Sequence, residues 1–167
     1  MNALKKHRLI VATVALLVSG SCCHWRRRRR PQARRRAGPT PAERAIEYRQ
    51  AVYKVVAGNF GPLSQAAQGK AEFKPESASK QAARLAQIAT FVGDAYPDIS
   101  KEGKTRALPA IWSNRKDFDQ IVADLTTHTK TLAEVAENSS SAGDEFKAAV
   151  AAVGNDCKAC HDKFRSK

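Results

Sequence analysis

The sequence predicts an all-α fold, an antiparallel four-helix bundle, and three observations carry that expectation. Apolar residues recur at three- and four-residue spacing in four separate segments. No segment shows sustained strand alternation or a two-residue hairpin signal. Most links between the segments are short, which makes consecutive helices antiparallel neighbours.

The first helix should begin at Thr40-Pro41-Ala42-Glu43, which offers an N-cap, a proline at the first helical position and a capping-box glutamate. Its apolar stripe comprises Ala45, Ile46, Val52, Val55, Val56, Phe60 and Leu63, with an interruption or kink expected near Gly58 and Gly61-Pro62. The second spans about Pro75 to Tyr96, buries Ala82, Leu85, Ile88, Ala89, Phe91, Val92 and Ala95, and is stopped by Pro97. PDISKEGKTRALPAIW then forms a connection long enough to be functional. The third helix runs from about Ser113 to Glu137, with Phe118, Ile121, Val122, Leu125, Leu132 and Val135 inward, and ends at NSSSAGD. The fourth opens with a candidate capping box at Ser141 to Asp144 and buries Phe146, Ala149, Val150 and Val153. Extended by threes and fours, that face reaches Cys157, Cys160, His161 and Phe164.

Charge is distributed unevenly along the 167 residues. The formal net charge is +13, yet 11 of the 29 Lys and Arg, and none of the 16 Asp and Glu, precede residue 42. The remaining chain is close to neutral, so a nucleic-acid partner is not expected. Residues 1–41 read as an export leader followed by a basic, disordered segment: NALKKHR supplies the basic start, and Leu9 to Gly20 an apolar run too short to span a bilayer comfortably. The expectation is a periplasmic protein, without a stable membrane anchor after processing. Residues 42–167 form the single folded domain.

The last eleven residues, CKACHDKFRSK, carry the chemistry. CxxCH is the attachment sequence of a c-type haem: both thiols add to the porphyrin vinyl groups, and the histidine becomes an axial ligand of the iron. On a helix, this spacing puts Cys157 and Cys160 on one side, with His161 aimed at the metal from that side. A zinc site would need a fourth donor, of which only the distant His128 remains outside the leader. A thioredoxin-like pair wants a strand-helix context, and a structural disulfide would leave His161 without a role. One covalent haem c is the expected cofactor.

Four amphipathic helices ending in CKACH, with EYRQAVYKVVAGNFG in the first, TRALPAIW before the third and HDKFR at the end, resemble the class II cytochromes c, the cytochrome c′ family. The resemblance covers about Thr40 to Lys167. It implies that Arg49, with Gln50 beside it, pairs with a haem propionate, and that Arg165 is the basic residue on the proximal side. Thr105 is expected near the haem edge, while Trp112 is expected in the core. Six-coordinate relatives place a methionine four residues after that arginine. Here the position is Tyr53, which resembles the bulky lid of five-coordinate members.

Composition alone excludes a methionine ligand, because the only methionine is Met1. His128, whose neighbours Thr127, Thr129 and Lys130 mark a solvated edge, and Tyr53 as tyrosinate are weaker alternatives for the sixth position. The expected function is therefore non-enzymatic binding of NO or CO at a vacant distal face, where charged ligands would pay desolvation. The runner-up is an electron carrier with a redox partner protein, and a third reading is a non-haem helical protein with a CxxC disulfide. The resemblance also implies a homodimer formed through the first two helices.

Overall fold

The computed structural model describes residues 38–167, and the expected leader and nearly all of the basic segment lie outside the described residues. Four long helices follow in order: α1 (Pro41–Ala67), α2 (Pro75–Ala89), α3 (Arg115–Asn138) and α4 (Asp144–Phe164). α2 packs against α1 and α3, α3 against α4, and α4 against α1, which closes the four-helix bundle. Among the described residues, the only pairing of extended backbone is one antiparallel bridge, Ala107 to Arg165.

α1 begins with the expected capping box. The Glu43 N–H donates to Thr40 Oγ1 at 3.2 Å, and the Thr40 N–H donates to Glu43 Oε2 at 2.7 Å. The interruption expected near Gly58 and Pro62 does not occur: the helix runs through to Ala67. Pro62 removes the N–H that would meet the Gly58 carbonyl, but both residues are exposed, so water can satisfy that oxygen. Val55, expected inward, is also exposed.

α2 ends seven residues before the expected limit. The Thr90 hydroxyl donates to the Gln87 carbonyl at 2.7 Å, and the chain continues through i→i+3 bonds from Thr90, Phe91, Val92 and Ala95. Competition by that hydroxyl and the tighter turns rotate Phe91 outward to 46% exposure, while Tyr96 turns inward. The connection holds a 3-10 turn at Asp98–Lys101 and a single helical turn at Ala110–Ser113, which Asn114 separates from α3. Gly103 adopts φ 118°, and a Cβ there would meet Ile46 Cδ1 at 2.9 Å. The loop is thereby pressed onto α1. α4 starts from Gly143 with no side-chain cap bond, so the candidate capping box does not form; Asp144 and Glu145 instead sit in the first turn, where their charge complements the helix dipole.

The core divides into two clusters. One is mostly aliphatic and includes Leu63, Ala82, Leu85, Leu132, Val150 and Val153, with the Phe73–Phe146 edge-to-face pair at its border. The other is mostly aromatic: Tyr96 and Phe118 are 4.9 Å apart, Phe118 and Phe164 5.5 Å, and Tyr96 and Trp112 6.2 Å. Each buried Leu, Val or Phe contributes about 1.5–3 kcal/mol. Thr129 is fully buried in spite of its hydroxyl, because Oγ1 donates to the Leu125 carbonyl of its own helix at 2.8 Å.

Candidate functional site

Cys157 and Cys160 lie one helical turn apart on α4, and they straddle the seam between the clusters: Cys157 packs against the aliphatic one and Cys160 against the aromatic one. Both thiols are free and half-buried. Burial pushes the Cys157 thiol up, with the Asp156 charge adding to it, and burial followed by Cys157 pushes Cys160 up to about 11. These are protonated thiols at neutral pH, the opposite of the lowered pKa that a thioredoxin-like pair uses. Among the described residues, no group of three His, Cys, Asp or Glu side chains converges as a metal cage, which leaves the zinc reading without a site.

His161 follows on the same helix with its ring exposed. Partial burial, then the Arg165 and Arg106 charges, hold its pKa below the usual imidazole range, with Asp162 opposing them. The ring is neutral at pH 7. The Arg165 guanidinium donates toward His161 Nε2 at 3.3 Å, so that nitrogen presents a lone pair, as an iron ligand must. Arg165 is steadied by the chain pairing at this end: the Leu108 N–H donates to the Phe164 carbonyl at 2.9 Å and the Ser166 N–H to the Arg106 carbonyl at 2.8 Å.

Opposite α4, α1 presents Arg49, which is only 4% exposed. Its Nη1 donates to the Ala95 carbonyl at 3.3 Å and to Ser100 Oγ at 2.9 Å, and its Nη2 to Thr105 Oγ1 at 2.8 Å. Its guanidinium lies over the Tyr96 ring, 4.6 Å from the centroid. Among the described residues, no carboxylate pairs with it, and burial pulls its pKa down while Tyr96 and Tyr53 oppose. Three of five N–H groups are used, so two remain for an anion. A buried cation with spare donors, stacked on a ring of the cluster that Cys160 joins, fits a haem, which brings carboxylates as well as vinyl groups.

The sequence readings meet here unevenly. Thr105 is joined to Arg49, and Tyr53 packs against the same aromatic cluster as Cys160. Gln50, adjacent to Arg49, is exposed on the outside of α1. Burial, followed by Tyr96, raises the Tyr53 pKa far above the usual phenol range, which disfavours tyrosinate as an iron ligand. His128 joins α3 to α4 through Asp156, Nδ1 to Oδ2 at 2.7 Å, and this pairing already engages its Nδ1. Trp112 packs against the aromatic cluster and donates from Nε1 to the Tyr96 carbonyl at 3.3 Å. Two contributors escape sequence reasoning. Tyr96 reads as the tail of the second helix, and Ser100 as an ordinary loop serine; only the proline at 97 hinted that the chain turns back toward α1 there.

Comparisons with known proteins converge on one family. The family model described as Cytochrome C' matches residues 44–165. Cytochrome c′ of Rubrivivax gelatinosus is 34% identical over 124 residues, which is 74% of this chain and 95% of that protein. The structure of cytochrome c prime from Shewanella frigidimarina superposes with a TM-score of 0.71 at 32% identity, over 75% of this chain and 97% of that one. A variant of cytochrome c prime from Alcaligenes xylosoxidans in complex with nitric oxide gives 0.68 at 28% identity, over 75% and 97%.

Proposed function

Since the chain belongs to the cytochrome c′ family and carries a covalent c-type haem, we propose that it is a five-coordinate haem protein that binds NO and CO and has no enzymatic activity of its own. The haem would supply an iron able to take a diatomic gas. Cys157 and Cys160 would tether the group, and His161 would be its protein ligand through Nε2, the nitrogen that Arg165 contacts in this structure. Arg165, one turn beyond, would be the basic residue on the histidine side. Arg49, with Thr105 at its side, would bind a propionate through its spare donors, while Gln50 lies exposed on the outside of α1.

Tyr53 carries this reading. It stands on α1 where a methionine would make a sixth ligand, and it is a part-buried neutral phenol that packs against the same aromatic cluster as Cys160. With the only methionine at position 1, the described domain offers no thioether, and the ring screens the site from water and anions. The NO complex of the Alcaligenes xylosoxidans variant supports the choice of ligand.

Residues 1–41 would export the chain to the periplasm, and the domain is residues 42–167. No helix among the described residues is long and apolar enough to cross a membrane. Tyr48 and Val55, two turns apart on α1, and Phe91 just beyond α2 are exposed apolar groups that support a homodimer through the first two helices. The experiment is an anaerobic titration of the reduced holoprotein with NO and then CO, followed in the visible region. Stoichiometric band shifts are expected for both gases. Spectra that stay unchanged with excess gas would contradict the reading and favour an electron carrier with a redox partner protein.

A further inference from the structure

The hydroxyls of Tyr53 and Tyr96 form one hydrogen bond, 3.1 Å long, across the space between α1 and the chain beyond α2. Two phenols hold two protons, and one bond uses one of them. Among the described residues, neither hydroxyl has another acceptor, so a proton is left over. Tyr96 is the better donor of the two, because the Arg49 cation lies over its ring face and draws electron density from its oxygen. Tyr53 therefore accepts, and its own O–H is the spare donor.

Tyr96 is also the more firmly held ring. Its backbone carbonyl accepts from Trp112 Nε1 at 3.3 Å and Arg115 Nη1 at 3.4 Å, and its ring makes an edge-to-face pair with Phe118. Among the described residues, Tyr53 has no hydrogen-bond anchor besides Tyr96, and it packs against the same aromatic cluster as Cys160, near enough for both cysteines to act on its phenol. A donor held by a fixed partner in a screened site is preorganised, and it acts more strongly there than in water.

We propose that Tyr96 is a positioning residue that aims the Tyr53 hydroxyl as a hydrogen-bond donor at a diatomic bound beside the cysteine pair. The site then favours ligands whose outer atom gathers negative charge on binding. This rests on the gas-binding reading above. It goes further in making the tyrosine lid a polar, ligand-discriminating group instead of an apolar screen.

The test compares the CO adduct of the reduced holoprotein with those of Tyr53→Phe, Tyr96→Phe and the double variant. Each substitution removes one oxygen and keeps the ring, and thermal unfolding checks that each variant folds. A donor to the outer atom lowers the C–O stretching frequency, which a purely structural change would not do. Tyr53→Phe is expected to raise that frequency and to speed CO loss about three- to tenfold, the usual worth of one hydrogen bond. Tyr96→Phe should move both readouts part of the way, and the double variant should match Tyr53→Phe. An unchanged frequency in Tyr53→Phe, or additive effects in the double variant, would overturn the proposal. Absence of any CO adduct in the unsubstituted protein would defeat the gas-binding reading itself, and this inference with it.

Discussion

The two halves of the core are built for different purposes. Around Leu63, Ala82, Leu132 and Val153, small and aliphatic side chains interdigitate and leave no polar atom to satisfy except the self-bonded Thr129 hydroxyl. Around Tyr96, Phe118 and Phe164, aromatic rings gather with the Cys160 thiol, a buried guanidinium and a pair of phenols, and Cys157 lies at the seam between the halves. The first region is complete as a protein core. The second carries the thiol, cation and phenols that a large, flat, partly anionic cofactor would engage, and the contrast locates function within the fold.

The strongest way to break this contrast is to prevent attachment. A Cys157→Ser, Cys160→Ser double variant should lose on the order of 10 kcal/mol of stabilisation, from several hundred Å² of porphyrin no longer buried. Hydrogen exchange should show protection lost around Ala95 to Phe118 and the end of α4, and retained around Leu85 and Leu132. Uniform loss would mean that the two clusters are not separable. Next in size, Leu132→Ala should cost about 2–5 kcal/mol in chemical denaturation and leave the visible spectrum untouched, because the cavity lies wholly in the aliphatic half.

Arg49→Met sharpens the comparison. The holoprotein should lose about 1.5–3 kcal/mol from the charge-assisted bonds, while the haem-free chain loses less, since an unpaired buried cation is relieved. High pH acts on the same half. Burial raises the folded-state pKa of Tyr53, so the folded state keeps a proton that the unfolded state releases above pH about 10. Stability conferred by the neutral phenol is full below that pH and falls by about 1.4 kcal/mol per unit above it, a slope that Tyr53→Phe should reduce in alkaline denaturation. The smallest effect belongs to neither cluster: Thr40→Ala should cost about 1 kcal/mol through the lost cap and change no spectrum.

Legibility in the sequence followed the range of the forces involved. The start of α1 and the inward face of α4 could be read because Thr40-Pro41-Ala42-Glu43 and the run from Phe146 to Phe164 encode local geometry. CxxCH was legible because its chemistry needs fixed spacing on one helix. The early end of α2 was not, since hydrophobic period continues through Phe91 and Ala95 while one threonine hydroxyl and a series of tight turns redirect the chain. Tyr96 and Ser100 stayed hidden for a related reason: they reach Arg49 across 47 and 51 positions of sequence, through contacts that no local pattern marks.

The central claim is that Tyr53 covers the iron without binding it, and the spin state of the ferric holoprotein at neutral pH tests this most directly. Electron paramagnetic resonance should show a high-spin signal, converted to low spin by Tyr53→Met, which restores a thioether at that position. A low-spin signal in the unsubstituted protein, or a high-spin signal that Tyr53→Met leaves unchanged, would contradict the account.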